Sequence, residues 1–499
     1  MPAFGAIGSH IAPPAGGLWQ GPPPQQQQGP PAQMQGPPAP RGMPPAPRPP
    51  QGPPPGMAVP AAAPMAMPAQ PAAAHSPGGG DGFGRSPPAT RVNQREVREA
   101  DQAARAADRD ERGGRGGGGG ARRGGSTLKA DGAALSAQLE QLAASLQPAA
   151  EDTARQAACF ERVRAMVVKE WPDAQLLMYG SCANGFGGRS SDIDTCLALK
   201  WADSPERKRT VVQRIAELAE AGGYTNVVAL THARMPVAKM VEPSTGVACD
   251  VCVNNFLAVF NTRLLRDYAA VDPRLRPLGY AVKHWAKRRC VNEPYTGTLS
   301  SYCYILMCIH LLQTRSPPVL PCLQAMTPHT FTRDVDGLRC GYYDDVRALQ
   351  GWGARNTHTL AELLAEFFDY WANGHDYGGS VASVRVGGFI GKRRKGWTTR
   401  VGTERHLICI EDPFEVSHDL GRVVDKRSIN VLRDEFARAA QILRTNPAPL
   451  EQLFQEYQPP PPARAPGAAG KRGGGGGDDD DEDEAAAARR LGGALPDSL

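Results

Sequence analysis

Three aspartates lie in segments whose other residues are typical of buried β-strands. The run 191–199 contains Asp192 and Asp194 among apolar and β-branched residues, which predicts a strand. Side chains of a strand alternate between its two faces, so Asp192 and Asp194 point to the same side. Asp250 stands among the valines of 247–253, where an unpaired charge is costly. The spacing therefore predicts three carboxylates that need a cation between them.

A divalent metal site on neighbouring strands of one sheet removes the electrostatic cost of all three carboxylates. Ligands that are all oxygen favour Mg²⁺ or Mn²⁺ over zinc. Two such ions about 3.5–4 Å apart can activate an attacking hydroxyl and stabilise a leaving pyrophosphate. The carboxylates therefore indicate two-metal phosphoryl transfer, with Mg²⁺ or Mn²⁺ as the cofactor.

Gly180 and Ser181 follow the apolar segment 176–179 and predict a tight turn that opens a helix. Such a turn offers backbone N–H groups and a hydroxyl to a triphosphate. Plainer interpretations exist, since Gly-Ser occurs in ordinary strand-to-helix turns and Asp-x-Asp in ordinary exposed pairs. Either motif alone is weak evidence, but both together with Asp250 favour a nucleotide site.

Both ends of the 499-residue chain have compositions that predict disorder. Residues 1–132 are first rich in Pro, Gln, Gly and Ala and then in Arg and Gly, while residues 459–499 contain the acidic run 478–484. Such segments bury too little apolar surface to offset their ordering entropy. The Arg-Gly segment is expected either to bind single-stranded nucleic acid loosely or to act as a plain linker. These arms are also the expected binding sites for protein partners.

The remaining residues, 133–458, are long enough for two domains. Formal net charge is only +5, so overall charge does not indicate nucleic-acid binding. Eleven cysteines occur without a signal peptide before them, which predicts reduced thiols in the cytoplasm, with the nucleus as a second location. Cys249 and Cys252 form a lone C-x-x-C on opposite strand faces, so no zinc site is expected. No apolar stretch reaches membrane-spanning length, and we expect a soluble protein.

Hydrophobic periodicity divides this body into an α/β part and a helical part. Leucines at helical spacing predict a helix that ends before Pro148, and a second helix covers about 150–171. From Asn261 onward the pattern is helical. We therefore predict a catalytic domain over 133–262 and a mainly helical central domain over 263–458. Strands are predicted near 176–179, 192–199, 226–230, 236–241 and 247–253, with a helix over 205–221 crossing between them.

Lys283 and Lys287 lie one helical turn apart, shortly before a helix over 301–313 that Ser300 can cap. Two lysines at this spacing usually form a solvated face. Beside a capped helix start they can instead bind triphosphate oxygens. Spacing alone leaves both interpretations open.

In their order along the chain, these segments resemble one enzyme family. The family is that of the terminal uridylyltransferases and cytoplasmic poly(A) polymerases, in the DNA-polymerase-β-like nucleotidyltransferase superfamily. The similarity runs from about 150 to about 440, and its last motif is specific to the poly(A)-polymerase-associated domain, placed here at about 355–422. The motifs are Gly180-Ser181, Asp192-x-Asp194, Asp250, Lys283-x-x-x-Lys287, Ser301-Tyr302 and Ile-Glu-Asp-Pro-Phe-Glu-Val-Ser-His-Asp-Leu-Gly-Arg over 410–422.

The resemblance implies a bilobed fold, α/β plus α, with a mixed nucleotidyltransferase sheet and a mainly helical central domain around a cleft. It implies template-independent addition of ribonucleotides to RNA 3′ ends. Asp192 and Asp194 would hold the metal ions, and Asp250 would hold the ion that activates the RNA 3′ hydroxyl. The implied triphosphate contacts are the turn at Gly180 and Ser181, together with Lys283, Lys287 and Ser301. Asn261 would contact the ribose, and Tyr302 would stack on the base.

His418 bears on which base is added. In the resembled family a His at this position generally accompanies a preference for UTP, and His418 with Asp412 would read the Watson–Crick edge of uracil. The structural alternative is that His418 caps a helix or packs behind the pocket. The resemblance thus predicts uridylate addition, with ATP as a weaker or alternative substrate and tails that mark RNA for turnover. The rivals are an adenylating enzyme of the same fold and a catalytically silent RNA-binding scaffold, and the three retained carboxylates oppose the second.

The segment 391–397 combines four basic residues, Lys392, Arg393, Arg394 and Lys395, with a tryptophan. This composition predicts phosphate contacts and base stacking along an RNA track. A nuclear localisation signal and an exposed hairpin tip are the alternatives. The sequence contains no RNA-recognition motif, so RNA selection is expected to depend on the arms or on a partner.

Overall fold

The structure is a computed structural model that describes residues 128–402 and 404–458. The predictions for the N-terminal arm up to residue 127 and for the acidic tail 459–499 lie outside the described residues. Within the described part, a five-stranded mixed sheet with flanking helices adjoins a larger helical lobe, as predicted. None of the described helices combines the length and the apolar character that crossing a membrane requires.

The sheet has the strand order β1-β2-β5-β4-β3, and within it only β2 and β5 run parallel. Its strands are β1 (Gln175–Tyr179), β2 (Ile193–Ala198), β3 (Thr225–Leu230), β4 (Val237–Glu242) and β5 (Val247–Val253). The helices preceding or connecting them are α1 (Gly132–Leu146), α2 (Ala150–Glu170), α3 (Ser181–Asn184) and α4 (Pro205–Ala221). Each predicted strand lies within two residues of an observed one.

Local sequence signals fix the crossover helix α4. The Ser204 hydroxyl accepts a hydrogen bond from the backbone N–H of Arg207 at 3.2 Å, and Pro205 occupies the first helical position, where its missing N–H costs nothing. Val211, Val212 and Ile215 are fully buried and belong to the same apolar core as the sheet. This helix supplies the long connection that a parallel strand pair requires.

The two faces of the sheet pack against different partners. Helices α2 and α4 cover the face that carries Ile193, Val251 and Cys249. Cys196 and Cys252 lie on the opposite face and pack beside Val259. Cys249 and Cys252 therefore diverge as predicted, and none of the eleven cysteines, all of which the structure describes, forms a disulfide. Because strand residues alternate, the aspartates two positions before Cys196 and Cys252 also face away from α2 and α4.

The helical lobe has a continuous core of buried aromatic and aliphatic residues. The Trp285 ring lies 4.8 Å from that of Phe368 and 5.3 Å from that of Phe436, centroid to centroid. Its α-helices are α5 (Phe256–Val271), α6 (Leu275–Arg288), α7 (Ser301–Thr314), α8 (Leu360–Asp369), α9 (Lys392–Lys395), α10 (Lys426–Thr445) and α11 (Leu450–Leu453). Its hairpins are β6 (Phe331–Val335) with β7 (Leu338–Tyr342) and β8 (Ser380–Ser383) with β9 (Gly388–Gly391). Short 3₁₀ turns cover Pro294–Thr296, Val346–Leu349 and Trp352–Arg355, and a π-helical turn covers Tyr370–Gly374.

Two elements join the lobes across the predicted boundary between residues 262 and 263. Helix α5 runs without interruption through that boundary. Helix α1 precedes the sheet in sequence, yet it packs against α6 and α8, and its Leu135 and Leu139 belong to the helical core. By packing, α1 is therefore part of the helical lobe.

Gly279 lies where α6 packs tightly against the loop after α3 and against α7. A β-carbon at this position would lie 2.7 Å from the Phe186 ring and 2.8 Å from Ile305 Cδ1. Alanine in place of a helical glycine normally stabilises a protein by about 1 kcal/mol. Here overpacking dominates, and we expect Gly279→Ala to lower the free energy of unfolding by about 1–3 kcal/mol. Denaturant titration of both proteins measures this difference.

The control is Gly388→Ala in β9, where an added β-carbon meets nothing within 4 Å. Its effect should stay within about 0.5 kcal/mol. A Gly279→Ala protein as stable as the wild type would contradict the close approach.

Candidate active site

The three predicted carboxylates converge at one end of the central strand pair. In the parallel register of β2 and β5, Asp194 lies directly beside Asp250. Asp192 lies one residue before β2, so the predicted strand begins slightly too early. Carboxylate oxygens of all three residues lie within 4.8 Å of one another. The arrangement agrees with the prediction from spacing.

Electrostatics at this cluster are unfavourable without a cation. Burial and the neighbouring charges of Asp192 and Asp250 raise the pKa of Asp194 to about 7. Burial also raises the pKa of Asp250, although an ion pair with Lys239 opposes the shift. Three clustered carboxylates, of which Asp194 and Asp250 have raised pKa values, match the ligand chemistry of Mg²⁺ and Mn²⁺. These residues therefore fit the predicted metal ions.

Lys239 was not identified from the sequence. It lies on β4 directly opposite Asp250, and its ammonium group bonds the Asp250 carboxylate. The available signal was a lysine between the buried residues Ala238 and Met240, on the strand face that points away from the core. Lys239 partly neutralises the third carboxylate.

Gly180 is required by the space that Asp194 occupies. Its φ of 74° lies in the left-handed region, and a β-carbon there would lie 2.0 Å from Asp194 Oδ2. The turn was predicted to offer backbone N–H groups to a triphosphate. The N–H of Gly180 is not free for this contact, because it donates to Thr262 Oγ1 at 2.9 Å. Ser181 follows as the first residue of α3, which confirms the predicted turn into a helix.

Lys283 points to the loop that follows α3. It is half-buried, and its ammonium group donates to the carbonyl of Phe186. Burial first and then the neighbouring Lys287 lower the pKa of Lys283 to about 8. Lys287 is exposed one turn further on. The pair is therefore one half-buried and one solvated cation, and not simply a solvated face.

The start of α7 carries two serines with different partners. Ser300 caps the helix, as predicted, by accepting the backbone N–H of Cys303 at 3.3 Å. The Ser301 hydroxyl and the Asn292 side-chain amide exchange hydrogen bonds at 3.0 and 3.2 Å.

Asp412 is a buried anchor for two predicted nucleotide contacts. It is only 5% exposed, and its Oδ1 accepts the backbone N–H groups of Phe414 and Glu415 at 3.0 and 2.9 Å. Its Oδ2 accepts from Asn261 Nδ2 at 3.1 Å and from the Tyr302 hydroxyl at 3.3 Å. Each Asp412 oxygen accepts two donors of the protein, so Asp412 positions Asn261 and Tyr302. Its direct contact with a base stays a prediction.

Asn261 and its neighbour Thr262 contact both lobes. The Asn261 Oδ1 atom is buried and accepts no hydrogen bond from any described residue, so it is available to a ligand donor. Thr262, not identified from the sequence, accepts from Gly180 N–H and donates to the carbonyl of Ala258 at 2.8 Å. These adjacent residues link Asp412 to the turn at Gly180.

His418 meets an arginine from the sheet lobe. Arg234, in the turn between β3 and β4, lies with its Nη1 atom 2.8 Å from His418 Nδ1. Its Nη2 atom donates to Glu415 Oε1 at 2.5 Å. Burial and then the charges of Arg234 and Arg422 lower the pKa of His418 to about 4, so the imidazole is neutral near pH 7. Arg234 was missed because nothing in the sequence links positions 184 residues apart.

The predicted RNA track at 392–395 is partly wrong. Lys392 is 4% exposed and donates to the carbonyl oxygens of Tyr377 and His406. Lys395 is mostly buried and pairs with Glu411 at 2.7 Å. Both ammonium groups satisfy internal acceptors and cannot contact RNA. Arg393 and Arg394 are exposed, and for them RNA contact stays a prediction.

A second cluster with metal-ligand residues, His406, Cys409 and Asp419, is buried near the His418 motif. Asp419 already accepts the His406 Nδ1 proton at 2.8 Å and the backbone N–H groups of Ile410 and Gly421. Its oxygens are occupied, and the cluster holds the motif in place by hydrogen bonds.

Comparison with known proteins gives two family matches along the chain. A family described as "Poly(A) RNA polymerase, mitochondrial-like, central palm domain" matches residues 135–270. A second, described as "Cid1 family poly A polymerase", matches residues 359–418. The first match contains the carboxylates and the second ends at His418.

The individual relatives include both terminal uridylyltransferases and poly(A) RNA polymerases. Terminal uridylyltransferase cid1 of Schizosaccharomyces pombe is 35% identical over 317 residues, which cover 60% of this chain and 76% of the relative. Poly(A) RNA polymerase cid13 of the same organism is 34% identical over 297 residues, 58% of this chain and 50% of the relative. Human terminal uridylyltransferase 4 is 33% identical over 301 residues, 58% of this chain and 18% of the relative. The chain thus spans half the length of cid13 and three quarters of that of cid1.

Solved structures of Cid1 are similar in fold. A crystal structure of the Cid1 poly(U) polymerase superposes with a TM-score of 0.59 at 32% identity, covering 65% of this chain and 98% of that one. A Cid1 structure with Mg²⁺ and 3′-dATP bound has a TM-score of 0.60 at 31% identity, with 66% and 100% covered. A further similar structure contains Cid1 with its short product ApU.

The carboxylate cluster should bind divalent metal without any nucleotide. We expect Asp192→Asn combined with Asp194→Asn to weaken Mn²⁺ binding at least about tenfold, since two of three oxygen ligands lose their charge. Electron paramagnetic resonance of free Mn²⁺ during titration measures the affinity.

Asp203→Asn is the matched control, because Asp203 is exposed and pairs with Arg207 at 2.9 Å. Its Mn²⁺ affinity should equal that of the wild type. Unchanged binding by the double variant would rule out the cluster as the metal site.

Proposed function

We propose that this chain, which belongs to the family of Cid1-like terminal uridylyltransferases and poly(A) polymerases, transfers nucleotides from a ribonucleoside triphosphate to RNA 3′ ends and uses UTP as its preferred donor. The observation that carries the proposal is the convergence of Asp192, Asp194 and Asp250 beside a Gly-Ser turn and a half-buried lysine. A carboxylate cluster and a triphosphate-binding cation are the two parts that nucleotidyl transfer requires.

Asp192, Asp194 and Asp250 would hold the divalent ions, Mg²⁺ or Mn²⁺. When bound, these ions supply the charge that activates an RNA 3′ hydroxyl and stabilises the departing pyrophosphate. Gly180 keeps the space beside Asp194 open, and Lys239 balances the charge of Asp250. The protein thus holds the carboxylates close together despite their repulsion.

The triphosphate would lie between the turn at Ser181 and the start of α7. Lys283 offers a positive charge that burial has already stripped of water, which strengthens its attraction for phosphate oxygens. Lys287 and Ser301 are the further predicted contacts. Exposed Lys287 adds attraction at longer range.

Asn261 and Tyr302 would select and hold the nucleoside. The unpartnered Oδ1 of Asn261 supports a hydrogen bond from a ribose hydroxyl, which deoxyribose lacks at the 2′ position. The Tyr302 ring supports stacking on the base, and its hydroxyl is fixed by Asp412. Both side chains are therefore positioned before the nucleotide arrives.

His418 supports UTP over ATP because a neutral imidazole offers one directed hydrogen bond at the end of the pocket. Adenylate transfer is the second candidate, favoured by the similarity to cid13. RNA 3′ ends are the proposed acceptor, with Arg393 and Arg394 as exposed cations for phosphate contact. A cytoplasmic location, with the nucleus second, and a role in RNA turnover belong to the same proposal.

A tail-extension assay tests the function. The full chain is mixed with 5′-labelled RNA, Mg²⁺ or Mn²⁺, and one nucleoside triphosphate at a time. We expect tails from UTP to grow faster than tails from ATP, and Asp192→Ala to reduce extension to background, since it removes a metal ligand. Asp203→Ala should extend RNA at the wild-type rate.

Tails that grow faster from ATP than from UTP would support the alternative function, adenylate transfer. Absence of extension by the wild type with every nucleotide and both metals would favour the silent scaffold.

Nucleotide affinity should fall as pH rises from 7.5 to 9. The pKa of Lys283 is lowered to about 8 in the free protein, so its charged form prevails below pH 8 and is lost above it. We expect binding of a non-hydrolysable UTP analogue to weaken by up to about tenfold over this range. Calorimetric titration at several pH values measures the affinity.

Lys287→Gln is the informative control. Removing the neighbouring charge raises the pKa of Lys283, so the decrease in nucleotide affinity should occur at higher pH. Lys283→Met should bind weakly and without this dependence. An affinity that is flat for the wild type would contradict a role for the Lys283 charge.

A further inference from the structure

Arg234 connects the sheet lobe to the His418 motif of the helical lobe. It lies in the turn between β3 and β4 and contacts both Glu415 and His418. The Glu415 carboxylate holds one side of the guanidinium, so the other side is directed at the imidazole. This contact is distinct from the carboxylate cluster and from the lysines of the triphosphate.

The contact restricts which ring nitrogen of His418 carries a proton. A guanidinium has only donors, so the nitrogen that it approaches must be an acceptor. Nδ1 lies 2.8 Å from Arg234 Nη1, whereas Nε2 lies 3.4 Å from the same atom. The shorter distance makes Nδ1 the acceptor. In a neutral imidazole the proton then resides on Nε2, which becomes a donor.

We propose that Arg234 is a specificity-determining positioning residue that fixes His418 in its Nε2–H tautomer, so that the imidazole can only donate to the base. This inference rests on the proposed function. Uracil presents the O4 acceptor on its Watson–Crick edge, which matches a donor. Cytosine and adenine present an amino group at the corresponding position, and two donors facing each other leave both unsatisfied.

Cytosine gives the sharpest distinction. UTP and CTP have the same size and sugar, and they differ at this edge in hydrogen-bond direction. Guanine carries an acceptor at the equivalent position, so the tautomer of His418 does not discriminate against it. Guanine is disfavoured by its size alone. The inference therefore concerns the ratios of UTP to CTP and of UTP to ATP, and not the rate common to all four nucleotides.

The experiment compares kcat/KM for the four nucleotides in the full chain and in three variants. Arg234→Met keeps an unbranched apolar side chain but removes all donors, and Arg234→Lys keeps a charged donor group. We expect Arg234→Met to reduce the preference for UTP over CTP and over ATP about tenfold each. Arg234→Lys should retain most of both preferences. Arg207→Met, an exposed arginine paired with Asp203, should leave them unchanged.

A second readout does not depend on activity. Nitrogen-15 shifts of the His418 ring, assigned by comparison with His418→Gln, report which nitrogen is protonated in the wild type. We expect Nε2–H alone in the wild type and a mixture of tautomers in Arg234→Met. Thermal unfolding of each variant confirms that it is folded.

The inference is overturned if the wild-type ring is protonated at Nδ1, or if Arg234→Met slows all four nucleotides by one common factor, as a simple latch between lobes would. The wild-type order of UTP and ATP tests the proposed function separately. A wild type that prefers ATP would defeat that function, while the nitrogen-15 shifts would still decide the tautomer.

Discussion

The parallel register between β2 and β5 is the constraint on which the rest of the site depends. It places Asp194 beside Asp250, two groups that repel each other and that burial makes harder to ionise. A slip of one residue would turn one of them into the core beneath α2 and α4. The strands hold this register because Ile193 and Val251 are fully buried on that opposite face. Apolar packing on one side of the sheet thus maintains an electrostatic conflict on the other.

The helical lobe contains a corresponding anchor in Asp412. Its carboxylate gathers donors from α5, from α7 and from its own loop, so residues far apart in sequence share one buried acceptor. A buried charge is tolerated when hydrogen bonds surround it. Consequently the residues proposed to hold sugar and base are oriented by the fold, and little ordering is left for the nucleotide to provide.

Much of the sheet and the carboxylate cluster could be predicted because the signals are local. Strand alternation, the Ser204–Pro205 helix start and the aspartate spacing each lie within a few residues. The errors arose where a distant partner decides the outcome. Lys392 and Lys395 were predicted to be solvated cations, but they donate to the carbonyl of His406 and to Glu411. Arg234 has no local signal, because its partners come from the other lobe.

The adjacent residues Asn261 and Thr262 give helix α5 a role beyond joining the lobes. One is bonded to Asp412 in the helical lobe, and the other to the backbone of Gly180, whose position is set by Asp194. The distance between the proposed sugar contact and the carboxylate cluster is thus fixed by the peptide unit that joins Asn261 to Thr262. Opening or closing of the cleft would move Arg234 relative to His418 and leave this distance unchanged. Sugar selection would then be as accurate in an open enzyme as in a closed one, whereas base selection would require closure.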